Sequence, residues 1–212
     1  MVLSEEARNT ERARIAQLVL DLVDARGSQV AYPTVLSESG LTRSRFEQLF
    51  DSEDDLFDAV ANLWLRPHIE AMEEVLSTDL PPARKMYEFF RRRFVINLEL
   101  FKADPEKFTI ICEMGAANFE KIRSYIDLAD HYLCEIIVEA QADGHFAGLG
   151  IDETLSLINQ MVSNYTLQDA IVIIGDKLTE RKLARIIDTL FIGLSSEAGE
   201  EAAGVNTLRV AS

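Results

Sequence analysis

The sequence predicts an all-α chain in two parts, and two observations carry that expectation. Apolar residues recur at three- and four-residue steps through most of the 212 residues, and no stretch reads better as a strand. Between residues 32 and 50 the pattern tightens into two short helices around a glycine turn, with longer helical runs on either side. No internal repeat is present.

Taken in order, residues 1–7 read as frayed, and a first helix spans 8–26 with Ile15, Leu18, Val19, Leu22 and Val23 inward. After a loop at 27–29, Pro33 suits the first turn of a second helix, because its missing N–H would find no partner there. Gly40 ends that helix, since glycine takes the left-handed conformation at no steric cost. Thr42 can cap the third helix with its hydroxyl. Phe46, Leu49 and Phe50 then share a buried face, and Arg43, Ser44, Glu47 and Gln48, with Arg45 beside them, face outward. Two such helices form a helix-turn-helix whose second helix can be read from outside.

Ser52 caps a fourth helix with Asp55 at the capping-box position, and Leu56, Phe57, Val60, Ala61, Trp64 and Leu65 carry it inward. Pro67 reads as an interruption, followed by a short helix at 68–76 and a break at 78–82. Helices follow over 84–101, from Pro105 through an apolar run at 108–114, and over 119–142. A further helix starts at Ile151 and stays apolar through 174, and the last spans 180–195. Residues 199–212 lack periodicity and read as a mobile tail.

Three stretches, taken together, resemble the TetR family of bacterial transcription regulators. They are the run at 15–27 closing on Gly27, the run from Ser39-Gly40-Leu41-Thr42 to Leu49-Phe50, and Ser52-Glu53-Asp54-Asp55-Leu56. Spacing from Gly40 to Leu56 agrees with the family residue for residue, and the link from Gly27 to Tyr32 is one residue shorter. The resemblance implies a DNA-binding domain at 1–51 and an effector-binding and dimerisation domain at 52–198. It implies a double-stranded DNA operator contacted by Arg12, Thr42, Arg43, Ser44, Arg45 and Gln48, and a small-molecule effector that releases a repressor. It also implies a homodimer through the last two helices, with Leu155, Ile158, Val162, Ile187, Leu190 and Phe191 at the interface. Glu47 and Glu53 depart from the pattern: they stand where the family carries a tyrosine and a lysine that contact phosphate.

Composition bears on these expectations. The net charge is −15, and residues 1–66 hold seven Lys and Arg against twelve Asp and Glu. That acidity weighs against DNA binding, for which a basic footprint is the usual sign. It keeps open an alternative, a small-molecule or lipid-binding protein on the same fold that has lost DNA binding. No run of 18 or more apolar residues indicates a membrane span, and the polar N-terminus does not read as a signal peptide, so a cytoplasmic protein is expected. Cys112 and Cys134 read as buried thiols, in keeping with a reducing compartment.

Nothing points to an enzyme, a cofactor or a metal. His68, His131 and His145 lie far apart without ligand spacing and read as surface or half-buried imidazoles. Two features leave alternatives open. Arg91-Arg92-Arg93 is either a solvated face or places one guanidinium inward toward an acidic ligand; all three cannot face one pocket, since neighbouring helix positions splay by about 100°. Aromatic and methionine residues over the middle helices, among them Phe90, Phe94, Phe108, Met114, Tyr125 and Tyr132, are either core or the lining of an apolar pocket, with Tyr125, Tyr132, Gln160 and Asn164 as polar anchors.

Overall fold

The computed structural model describes residues 4–27 and 30–195, so the expected tail at 199–212 lies outside the described residues. Among the described residues there are ten α-helices and one 3-10 turn and no strand. The N-terminal part holds α1 (Glu5–Arg26) and the helix-turn-helix pair α2 (Tyr32–Glu38) and α3 (Arg43–Glu47). The rest is α4 (Glu53–Leu76), α5 (Pro82–Ala103), α6 (Pro105–Ala117), α7 (Phe119–Ala142), α8 (Ile151–Thr166), α9 (Gln168–Ile174), the 3-10 turn Gly175–Lys177 and α10 (Glu180–Ser195).

Local chemistry sets most boundaries. α1 begins earlier than expected, because the Ser4 hydroxyl accepts the Ala7 N–H (3.2 Å) and Glu5 and Glu6 complement the helix dipole. The Asp104 carboxylate caps α6 by accepting the Lys107 N–H (3.0 Å), with Pro105 behind it in the first turn. The Ser52 hydroxyl caps α4 through the Asp55 N–H (3.1 Å), and Asp55 reaches one residue further back than a capping box, accepting from the Asp51 N–H (3.0 Å).

Two expectations fail, and both corrections matter for the cavity below. Pro67 does not divide α4, which runs unbroken from Glu53 to Leu76. Proline inside a helix costs roughly 3 kcal/mol. Leu56, Val60, Met72 and Val75 are all buried along one stripe, at roughly 1.5–3 kcal/mol each, and Pro67 is on the exposed side, so packing wins. Conversely, the apolar run from 151 to 174 is not one helix. It breaks at Leu167, which is extended (φ −80°, ψ 123°), and α9 starts afresh at Gln168.

Two apolar clusters result. One joins Ile15, Val19 and Val23 of α1 to Val35, Phe46, Leu49 and Phe50 and to Leu56 and Val60 of α4, and it takes in Ile111 of α6. The larger cluster unites α4 through α10. α4 and α6 therefore belong to both. The connection after α7 is pinned by Phe146, which is fully buried at φ +55°, a conformation costing a non-glycine residue roughly 1–2 kcal/mol. Its ring packs on Phe191 (4.8 Å between centroids) and its N–H bonds the Ser195 hydroxyl (3.2 Å).

Candidate DNA-reading surface and ligand cavity

The turn between α2 and α3 is built as the sequence requires. Gly40 has φ +72°, and the Ser39 hydroxyl donates to the Leu36 carbonyl (2.7 Å) while accepting the Leu41 N–H (3.1 Å). The Thr42 hydroxyl caps α3 through the Arg45 N–H (3.4 Å). Phe46 anchors α3 from below, edge-on to Tyr32 (5.1 Å) and tilted against Phe50 (5.3 Å). Thr42, Arg43, Ser44, Arg45 and Gln48 are consequently exposed together on one short helix.

Two charges behave differently from expectation. Arg12 faces inward rather than toward a partner. It forms a two-pronged pair with Asp55 (2.5 and 2.9 Å), donates to the Leu49 carbonyl, and lies over the Phe50 ring (4.7 Å). It clamps α1, the end of α3 and the start of α4, and its hydrogen bond holds the Asp55 carboxyl below the ordinary carboxylate value. Glu47 accepts from Arg43 Nε at 2.8 Å, one helical turn away, so its carboxylate occupies one of the two exposed arginines of α3. Arg14 ties α1 to the turn through the Ser39 carbonyl (3.0 Å).

Below the helix-turn-helix lies a cavity of about 460 Å³, within the range of small-molecule sites. α4 gives Leu65 and His68; α5 gives Phe89, Arg93 and Asn97; α6 gives Cys112 and Gly115. α7 supplies the largest wall, including Phe119, Ile122, Tyr125, Ile126, Ala129 and Leu133. α8 contributes Asn159 and Ser163, and the break at Leu167 brings Gln168 and Asp169 to the mouth. The floor residues His68, Phe89, Asn97 and Leu133 are buried, whereas Phe119 and Leu167 are more than half exposed.

The polar groups of the floor are few. His68 Nε2 meets Asn97 Oδ1 at 2.8 Å, and its Nδ1 is buried without a hydrogen-bond partner. Burial is the main cause that pulls the His68 pKa down to about 4, helped by the charge of Arg93 and opposed by Asn97, so the imidazole is neutral near pH 7. Arg93 lies over the rings of Phe89 (5.4 Å) and Tyr125 (5.7 Å). Its neighbours are engaged elsewhere: Arg91 with Glu88 and Glu180, and Arg92 with Glu74. Burial also raises the Cys112 thiol to about 12, so it stays protonated, and Cys134 is half-buried rather than buried.

The tetracyclin repressor-like C-terminal domain family matches residues 82–187, half of the chain, and that span holds every helix of the cavity except α4. The chain belongs to the TetR family. A structure of a transcriptional regulator from Pseudomonas aeruginosa PAO1 superposes with a TM-score of 0.67 over 92% of this chain and 94% of that one, at 17% identity. The TetR family transcriptional regulator PfmR from Thermus thermophilus gives a TM-score of 0.54 over 84% and 97%, at 14% identity. At such identities the likeness shows the fold. No curated protein matches the chain by sequence.

Within this TetR fold the sequence-derived pocket residues separate. Tyr125 is on the cavity wall. Phe90, Phe94 and Phe108 are buried in the larger core and do not line the cavity, while Met114 packs against the smaller cluster. The Tyr132 hydroxyl donates to Glu73 (3.0 Å), away from the cavity, and Gln160 and Asn164 are exposed. Their chain neighbours Asn159 and Ser163 take the inward positions, because one residue turns a helix by about 100°. His68 and Asn97 were missed: taking Pro67 as a break hid the stripe Val60, Trp64, His68 and Met72. The residues expected at a dimer interface are also relocated. Ile158, Val162, Ile187, Leu190 and Phe191 are buried within the protomer and Leu155 is half-buried, whereas Met161 (52% exposed) and Ile192 (75%) are the most exposed large apolar residues of α8 and α10.

Among the described residues no group of three or more His, Cys, Asp or Glu could hold a metal, and no helix is long and apolar enough to cross a membrane.

Proposed function

We propose that this chain is a homodimeric, DNA-binding transcriptional repressor released from its operator by a small apolar or amphipathic effector in the cavity. The observation that carries the reading is α3: a capped helix anchored by Phe46 that exposes Arg43, Ser44, Arg45 and Gln48 together. The helix-turn-helix would form residues 1–51, with effector binding and dimerisation in 52–198. α4 supports the relay, since it carries Leu65 and His68 at the cavity and Leu56 and Val60 in the core beneath the reading helix. An effector that favours one setting of α4 shifts the spacing of the two reading helices away from one DNA turn, roughly 34 Å, and so releases DNA.

A second reading, a ligand-binding protein that has lost DNA binding, is favoured by the Arg43–Glu47 pair and by the inward turn of Arg12. One experiment separates the two: an electrophoretic shift against the DNA flanking the coding region, at low salt. A sequence-specific shift is expected, with Arg45→Ala lowering discrimination by roughly 1–3 kcal/mol. Glu47→Tyr should strengthen binding to all sequences alike, because it removes a repelling charge and releases Arg43. If no DNA shifts and neither variant changes that, the second reading replaces the first.

A further inference from the structure

Arg93 is a cation built into an apolar wall without an anion. Of the three consecutive arginines on α5, Arg91 and Arg92 hold carboxylates outside the cavity lining, Glu88 and Glu74, while Arg93 turns into the cavity. Among the described residues no carboxylate pairs with it, and its Nε is buried without a hydrogen-bond partner. Two ring faces, Phe89 and Tyr125, support the guanidinium but satisfy none of its N–H groups. A guanidinium so placed is short of a planar, two-oxygen acceptor.

The other polar groups facing the cavity do not compete for that role. His68 is neutral and already bonded to Asn97, which leaves Arg93 as the one cation among the described lining residues. Asp130 is engaged by the Asn159 amide (2.9 Å), and Asp169 is exposed at the mouth. Ser163, Thr166 and Gln168 add neutral polar groups on the side of the break at Leu167, and the rest of the lining, from Leu65 and Phe89 to Ile122, Ile126 and Leu133, is mainly apolar.

We infer that the effector is an anionic amphiphile, an apolar body filling the α5–α7 cavity with a carboxylate or phosphate head bound by Arg93. This deepens the reading of the cavity as the effector site and rests on it. The anion completes the hydrogen bonds of the guanidinium, and the aromatic faces fix the plane in which it is presented. The surrounding low dielectric strengthens the pair relative to water.

The test is calorimetric titration of the full-length protein with four probes of one chain length: decanoate, decyl phosphate, decanol and decylamine, each below its aggregation threshold. Decanoate or decyl phosphate should bind about tenfold or more tightly than decanol and decylamine, a preference of the size that a charge-assisted hydrogen bond supplies. Whichever anion is tighter identifies the head group. Arg93→Met, close in volume and uncharged, should abolish the preference while leaving decanol affinity within about twofold. Arg93→Lys should keep part of it, and carries the test if Arg93→Met fails to fold by circular dichroism. Equal affinity for decanol and decanoate, a preference for decylamine, or an anion preference that survives Arg93→Met would each overturn the anionic effector while leaving the cavity as a binding site. If none of the four binds, the anionic effector is overturned and the effector reading of the cavity falls with it.

Discussion

His68 shows how much a single buried side chain decides here. It is 2% exposed, bonded to Asn97, and kept neutral mainly by desolvation. A base whose pKa falls from 6.5 to about 4 on folding makes stability depend on pH in a fixed direction. Between those values the unfolded chain binds a proton that the folded chain refuses. Stability contributed by His68 is therefore present above about pH 6.5 and is lost as pH falls toward 4, on the order of 3 kcal/mol in all. Urea unfolding at pH 7 and pH 4.5 should show a smaller acid loss for His68→Gln, whose amide can still meet Asn97, than for the parent. An identical loss in both would mean that His68 takes up its proton in the folded state. Arg12 makes the same point about reading charge from sequence. Its guanidinium was expected at DNA, but Asp55 and the Leu49 carbonyl, 43 and 37 residues away, claim it.

At the scale of elements, α4 and α7 form the connection between cavity and reader. α7 lines the cavity with Ile122, Tyr125 and Ile126, and one residue before Ile122 it sends Lys121 to Asp54 in the first turn of α4 (2.6 Å) and over the Phe57 ring (4.9 Å). Such a half-exposed pair contributes little to stability. In the proposed relay, a ligand that displaces α7 would pull through it on the start of α4, beside the Arg12 clamp. Lys121→Met should leave stability within about 0.5 kcal/mol of the parent. It should also leave DNA affinity without ligand unchanged, yet reduce the loss of DNA affinity on adding effector. Calorimetry and electrophoretic shifts with and without ligand measure the two effects separately. An undiminished ligand effect would exclude this pair from the relay.

For the whole molecule, assembly turns on surfaces that the helical pattern does not reveal. Ile158 and Leu190 face the protomer's own core, so Leu190→Glu should unfold the chain rather than divide a dimer, at a cost of several kcal/mol. Ile192 and Met161 remain on the outside of neighbouring helices. If α8 and α10 pair with their symmetry mates, Ile192→Glu with Met161→Glu should convert a dimer to a folded monomer at micromolar concentration. Sedimentation with circular dichroism distinguishes the outcomes. A parent that sediments as a monomer, or a double variant that stays dimeric, would remove this face from consideration.

The sequence alone determined the all-α architecture, the turn at Gly40, the caps at Thr42 and Ser52, and the outward set Arg43, Ser44, Arg45 and Gln48. These depend on neighbours within a few residues, where helical period, capping hydroxyls and glycine's freedom at φ +72° act directly. It was also legible that the three consecutive arginines could not all face one pocket, since adjacent helix positions splay by about 100°; whether one turned inward, and which, was not. Tertiary structure decided the rest. It carried α4 through Pro67, because burial of its stripe outweighs one lost hydrogen bond, and so placed His68 on the cavity floor. It broke the apolar run at Leu167, moved Phe90, Phe94 and Phe108 from cavity lining into core, and turned Arg12 inward. In each case the deciding partner is distant in sequence, and local periodicity does not distinguish a core face from a cavity face or a partner's face.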